Sequence, residues 1–227
     1  MELIAFPART IRNKLHDAEQ QRMNSRAQLS DDALLDLMRE GDEEAFVLLY
    51  RRRQPGIYKF LLGMSNDRVV SEDVSQEVFI ILARQADRFD PARGSVSSFL
   101  YGIARNCLLQ HFDRERPYVP YEEECGNGSS NPHHNGGPNL SDPLTELTTA
   151  EMLGELRQAI LTLPLKYREA VVLCDLQEMN YLDAATVIGC PIGTVRSRLH
   201  RARDMLLQKL KSGVALKHRA VRKSVCG

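Results

Sequence analysis

The chain has 227 residues, enough for one or two domains at about 150 residues each. Hydrophobic residues make up 43% and charged residues 26%, and no apolar run nears the roughly 18 residues of a membrane span, which excludes a bilayer-spanning role. Thirty basic and thirty acidic side chains cancel, and the five cysteines (107, 125, 174, 190, 226) contain no C-x-x-C pair, so neither a disulfide framework nor a structural zinc site is expected and a reducing cytoplasm fits.

Apolar residues recur at three and four rather than alternating, so the expected fold is all-α. Residues 1–29 form a polar extension whose apolar start is too short for an export signal. Ser30-Asp31-Asp32 offers cap chemistry to a helix carrying Leu34, Leu35, Leu37 and Met38, which Gly41 ends. A second helix presents Ala45, Phe46, Leu48, Leu49, Ile57, Phe60 and Leu61, with a kink or break expected at Pro55. Ser71-Glu72-Asp73 reads as the acidic first turn of a third helix through Val74, Val78, Phe79, Ile81 and Leu82. The stretch Asp90–Ser95 reads as a loop, and Ser97 or Ser98 as the cap of a fourth helix through Leu100, Ile103, Ala104, Leu108 and Phe112. Residues 30–116 thus form one bundle.

Residues 117–143, rich in Pro, Gly, Asn and Ser, form a flexible linker. Fully stretched, about 30 residues reach roughly 100 Å, whereas a relaxed coil spans about 30 Å, so the two domains are free to move. A second helical domain occupies 144–211: Leu147, Met152, Leu156 and Ile160, a break at Pro164, then Ala170, Val171, Leu173 and Leu176, and two shorter pieces around Gly189-Cys190-Pro191. A basic tail, 212–227, follows.

The zero net charge hides a strong asymmetry. Between Arg196 and Lys223 there are ten Lys and Arg residues against one acid, Asp204, an electrostatic footprint suited to a polyanion. Residues 181–203 have the layout of a helix-turn-helix. Ala184 and Ala185 let the second helix cross closely, Gly189 accommodates the positive φ of the tight turn, and Val187, Ile188, Ile192, Val195 and Leu199 supply a shared core. Arg196, Ser197, His200, Arg201 and Arg203 lie away from that core, where a major groove receives them.

Both halves resemble an extracytoplasmic-function (ECF, group IV) sigma factor of bacterial RNA polymerase. The carboxyl half is similar to sigma region 4 through Leu163-Pro164, Tyr167-Arg-Glu-Ala170 and Gly193-Thr-Val-Arg-Ser-Arg-Leu-His-Arg-Ala-Arg203. The amino half is similar to region 2 through Asp42-Glu-Glu-Ala-Phe46, Ser71-Glu-Asp-Val-Ser-Gln-Glu-Val-Phe79, Arg88-Phe-Asp90 and Ser98-Phe-Leu-Tyr-Gly-Ile-Ala-Arg-Asn106. The resemblance covers residues 31–116 and 144–211.

The resemblance implies a division of labour. Asp73, Gln76, Glu77 and Phe79 correspond to the family's contact with the β′ coiled coil of core polymerase. The loop Pro91–Ser97 and the helix after it correspond to the -10 element, where a base flips out of the melted strand. Arg93, Ser95, Ser98, Tyr101, Arg105 and Asn106 are its candidates, with Asn suited to a base edge and Arg to phosphate, whereas Phe99 reads as a core aromatic. For the -35 element, Arg196 and Arg201 are expected to read bases and Thr194 and Arg198 to bind phosphate, with Ser197, His200 and Arg203 alongside. The implied partners are core RNA polymerase (β′ and β subunits), promoter DNA and an anti-sigma factor. The two promoter elements lie about 70 Å apart at about 34 Å per turn, so polymerase is expected to hold the domains apart. In the free chain the domains are expected to pack together or on an inhibitor.

No cofactor or metal is expected. Cys125 lies eight residues from His133-His134 without metal-site spacing, and Cys107, Cys174 and Cys190 read as small core residues. No phosphate loop, H-E-x-x-H or G-x-S-x-G motif supports an enzyme. Two alternatives remain. A helix-turn-helix regulator binding duplex DNA alone has no use for the Ser98–Asn106 string, and a sigma-mimicking adaptor has no use for groove-facing Arg196 and Arg201. The basic tail Lys217–Lys223 is expected to add phosphate contacts, so that removing 217–227 reduces the salt slope of DNA binding by a few units.

Overall fold

A computed structural model of the chain describes residues 28–115 and 153–225 together with Arg26, with side chains through Arg114 and Lys211. The linker 117–143, Arg116 and most of the leader lie outside the described residues. Among the described residues there is no strand, and no helix is long and apolar enough to cross a membrane.

Four helices build the amino-terminal bundle: α1 (Asp31–Arg39), α2 (Glu43–Ser65), α3 (Arg68–Gln85) and α4 (Val96–Glu115). Each of the first three starts on a side-chain cap that satisfies orphan amides: Ser30 accepts from Ala33 N–H, Asp42 from Glu44 and Ala45, and Asp67 from Val69 and Val70. The Asp67 cap starts α3 at Arg68, earlier than the sequence pattern suggests, so Glu72 and Asp73 lie in its second turn rather than its first. Nor does Pro55 break α2, which continues to Ser65; packing of Ile57, Phe60 and Leu61 on the core outweighs the one i→i−4 bond that the ring removes. At the head of α4 the capping hydroxyl belongs to Ser95, which accepts from the Ser98 amide at 3.1 Å, and not to Ser97 or Ser98. Leu34, Leu35, Leu49, Phe60, Leu61, Leu82, Leu100 and Leu108 fill the centre.

The carboxyl-terminal body comprises α5 (153–161), α6 (Leu165–Val171), a π-helical turn (Val172–Leu176), α7 (Tyr181–Ile188) and α8 (Ile192–Val225). Its core of Leu163, Ala170, Val171, Leu173, Ala184, Val187, Val195, Leu199 and Ala202 is fully or nearly fully buried. Gly189 closes α7 at φ +74°, the left-handed conformation a tight helix-turn-helix corner requires.

The two bodies do not stand apart. α4 lies against α7, and the π-helical turn lies against α2 at Gly63, where an added Cβ would sit 3.1 Å from Val172 Cγ1. Arg168 crosses from α6, donating Nη1 to the Met64 carbonyl at 2.8 Å, and also bonds the Leu161 and Leu163 carbonyls of its own body. That one guanidinium ties the end of α2 to the turn between α5 and α6.

Candidate nucleic-acid interface

The loop before α4 is shaped by its own residues. Asp90 caps the 3₁₀ turn Pro91–Arg93 by accepting from the Ala92 amide at 2.9 Å, and Gly94 follows at φ +148°. A Cβ there would meet Ser98 Oγ at 2.7 Å and Thr186 of α7 at 3.5 Å, so the loop is wedged between α4 and the first helix of the helix-turn-helix. Ser98 Oγ donates to the Ser95 carbonyl at 2.8 Å, and Ser98 itself is buried. Both serines are therefore engaged in building the helix start, while Arg93 and Asn106 stand exposed.

Tyr101 and Arg105 point into the contact between the bodies. The Tyr101 ring packs edge-on against Phe60 at 5.4 Å, and its hydroxyl donates to Gln177 Oε1 at 3.1 Å. Burial raises its pKa, with the Arg53 charge opposing. Arg105 Nε donates to Glu169 Oε1 at 2.7 Å, and Glu169 is only 2% exposed. Phe99 is half-buried with its ring 5.6 Å from that of Phe89, in the core rather than at the surface.

On α8, burial of Val195, Leu199 and Ala202 turns Arg196, Ser197, His200, Arg201 and Arg203 to solvent. Thr194 and Arg198 are half-buried, with the Thr194 carbonyl accepting from Ser197 Oγ at 3.0 Å. Several of these cations rest on partners that spacing alone does not reveal. Arg196 sits over the Tyr181 ring at 5.7 Å, a cation–π contact that orients the guanidinium. Arg203 makes a two-toothed pair with Asp175 (2.6 and 3.1 Å), and the Arg201 guanidinium holds the Tyr167 phenol below its usual range with help from Lys166. His200 Nε2 lies 3.5 Å from Asp204, one turn on. Arg203 is thus bound to its own protein, while Arg196 and Arg201 are propped on aromatic side chains at the solvent face. Tyr167, Asp175 and Tyr181 escape a sequence reading because only the fold brings them to α8.

On α3, Asp73, Gln76 and Glu77 are exposed on one stripe. Phe79, expected beside them at the polymerase contact, is instead buried, its ring 4.7 Å edge-on from Tyr50, because the apolar side chain packs into the bundle. Gln76 and Phe79 line an apolar groove between α2 and α3. Among the described residues, no three His, Cys, Asp or Glu side chains come together as metal ligands.

Comparison with known proteins adds an independent line. Residues 49–117 match sigma-70 region 2, and residues 153–206 match sigma-70 region 4. The chain is 31% identical over 187 residues to the ECF RNA polymerase sigma-E factor of Haemophilus influenzae, covering 81% of this chain and 97% of that one. It is 29% identical over 175 residues to the ECF RNA polymerase sigma factor SigW of Bacillus subtilis, covering 77% of this chain and 93% of that one. Among solved structures it is similar to CnrH in complex with the cytosolic domain of CnrY (TM-score 0.60, 21% identity, 80% of this chain and 97% of that one). It is also similar to the sigma factor RpoE bound to the anti-sigma factor NepR from Bartonella quintana (TM-score 0.51, 24% identity, 71% and 94%).

Proposed function

We infer the function of this chain from its family: it belongs to the ECF RNA polymerase sigma factors and directs promoter-specific transcription initiation, binding core RNA polymerase and promoter DNA. The observation that carries the reading is the order of parts: a region 2 bundle holding the Pro91–Ser97 loop, followed by a region 4 helix-turn-helix with its arginines on the outer face of α8. The regulator alternative has no account of the first part. Region 2 occupies 30–116, the linker 117–143 and region 4 144–211.

Arg196 and Arg201 read base edges of the -35 element, each able to present two donors to guanine O6 and N7. Arg198 and Thr194 bind phosphate, and Arg203 is a positioning residue, since its donors are already directed at Asp175. In region 2, Arg93 and Asn106 are free to meet the non-template strand in the closed arrangement. Tyr101 and Arg105 become free only when region 4 moves off α4. Polymerase, docked on Asp73, Gln76 and Glu77 and holding region 4 about 70 Å away at the -35 element, supplies that separation. DNA opening is then driven by binding of the flipped base, and the chemistry belongs to the polymerase, so the chain needs no catalytic site. Its place of work is the cytoplasm, with the polymerase and the chromosome. An anti-sigma factor is a further partner class that the closed arrangement suits.

The test is co-elution of the full chain with bacterial core polymerase on a sizing column, beside a variant reversed in charge at Asp73 and Glu77. Saturable co-elution lost in the variant, with promoter-dependent transcripts from the parent complex, is the expected result. No association, with tight binding to duplex DNA alone, would return the reading to the regulator.

A further inference from the structure

The groove between α2 and α3 has a volume of about 470 Å³ and is lined by Phe46, Val47 and Tyr50 on one side and Phe79, Ile80 and Ala83 on the other. Val47 is 41% and Ile80 50% exposed, an apolar strip that the fold leaves uncovered. Glu43 of α2 and Asp73 of α3 are exposed on the helix stripes that line it, Arg84 lines it beside Ile80, and Glu44 is held by Arg26.

The chain enters the described structure beside this groove. Arg26 pairs with Asp42 at 2.8 Å and with Glu44, which fixes the entering segment to the first turn of α2. Phe46 lies one turn further along the same helix, about 6 Å away at about 1.5 Å per residue. The 25 residues before Arg26 carry an apolar start, Leu3, Ile4 and Phe6, and from Leu3 to His16 they hold three bases (Arg9, Arg12, Lys14) and no acid. The apolar side chains complement the apolar floor, and the positive charge that follows them complements Glu43 and Asp73 at its edge. Phe6 is 20 residues from Arg26, so the covalent tether keeps the segment within reach of the groove, at an effective concentration on the order of millimolar.

We propose that the groove is the docking site of the chain's own amino-terminal segment, with Leu3, Ile4 and Phe6 toward the apolar floor and Arg9, Arg12 and Lys14 toward Glu43 and Asp73. Because Gln76 belongs both to this groove and to the proposed polymerase contact, the docked segment competes with core polymerase. That consequence rests on the polymerase reading; the docking does not.

The chain contains no tryptophan, so Phe6→Trp in the full chain is a single reporter. The expected result is blue-shifted emission and an acrylamide quenching constant about threefold lower than in a second variant that adds Ile80→Glu, as intramolecular docking at millimolar effective concentration implies. Ile80 is half exposed, and circular dichroism shows whether the second variant keeps its fold. Equal, solvent-like quenching in both variants would overturn the proposal, as would protection that grows with protein concentration, which assigns the groove to a second copy. Release of the reporter on adding core polymerase supports the competition. Protection that persists in a demonstrated polymerase complex would overturn the competition alone.

Discussion

Glu169→Gln should shift the chain from the closed toward the open arrangement. Glu169 is 2% exposed and holds Arg105 at 2.7 Å across the contact between the two bodies, so in the closed state the carboxylate is removed from water and depends on that guanidinium. Losing one partner of a buried pair costs about 3 to 5 kcal/mol when the remaining charge is stranded. Here the Arg105 side chain keeps 22% exposure and the amide oxygen of Gln still accepts a hydrogen bond. What is lost is therefore mainly the charge-assisted part, about 1 to 2 kcal/mol. At that size the open-to-closed ratio rises about 5- to 30-fold. Pulsed spin-resonance distances between labels on unnatural residues at Lys59 and Lys211, which leave the native cysteines alone, report the two populations directly. A non-template -10 strand offered to the free chain should bind more tightly by a similar factor. Combining Glu169→Gln with Arg105→Met should add little further opening, because the first change has already removed the coupling. An unchanged distance distribution accompanied by a lower melting temperature would refute the reasoning, since Glu169 would then serve only its own body.

Arg196→Ala should cost about 1 to 3 kcal/mol of discrimination at one -35 base pair in the polymerase complex, read from a panel of single-substitution promoters, whereas Arg203→Ala should leave the preference pattern unchanged. Tyr181→Ala should weaken the same interaction by about 0.5 to 1 kcal/mol, and Tyr181→Phe, which keeps the ring beneath Arg196, should retain that contribution. Gly94→Ala meets both a φ of +148° and a 2.7 Å approach to Ser98 Oγ, and should destabilise the bundle by about 1 to 3 kcal/mol in urea titration; an unchanged midpoint would mean that the loop adopts another path. Burial raises Cys107 and Cys174 from 9.0 to about 11, assisted by Glu77 and Asp175 respectively. At pH 8 both should resist iodoacetamide in the folded chain and label after denaturation. Because the unfolded thiols ionise first, their contribution to stability is complete below pH 9 and declines toward about pH 11.

The helices were legible wherever side-chain periodicity and caps agreed: Ser30 before Leu34 and Leu35, or Gly189 between Ile188 and Ile192. The start of α3 is less legible, because Asp67 caps it from outside the acidic cluster Ser71-Glu72-Asp73 that reads as a first turn. Pro55 was misleading because proline penalises a helix locally, while the packing that carries α2 through it is tertiary. The outer face of α8 follows from Val195 and Leu199, which the string places on the core side, and burial of Ala202 one step further completes that stripe. The props of its arginines do not follow from the string. Tyr167, Asp175 and Tyr181 carry no spacing signal relative to α8, and the Arg105–Glu169 pair spans 64 positions. Such contacts depend on how the bodies meet, which no local pattern encodes.

The helix that bears Arg196 and Arg201 also carries the basic tail. α8 runs 34 residues, Ile192–Val225, a rod of about 51 Å at about 1.5 Å per residue. Arg196 and Lys217 are then separated by about 32 Å along its axis, nearly the length of one turn of duplex. In the proposed -35 contact, positions 217–223 are less a loose sleeve around the DNA than the far mark on a yardstick whose near mark is Arg196. A helix that enters the groove end-on carries Lys217–Lys223 away from the duplex toward a neighbouring protein surface, and one that lies along the groove brings them to phosphates a full turn distant. The tilt of a single helix therefore decides whether the tail's charge acts on the promoter or on whatever stands beside it.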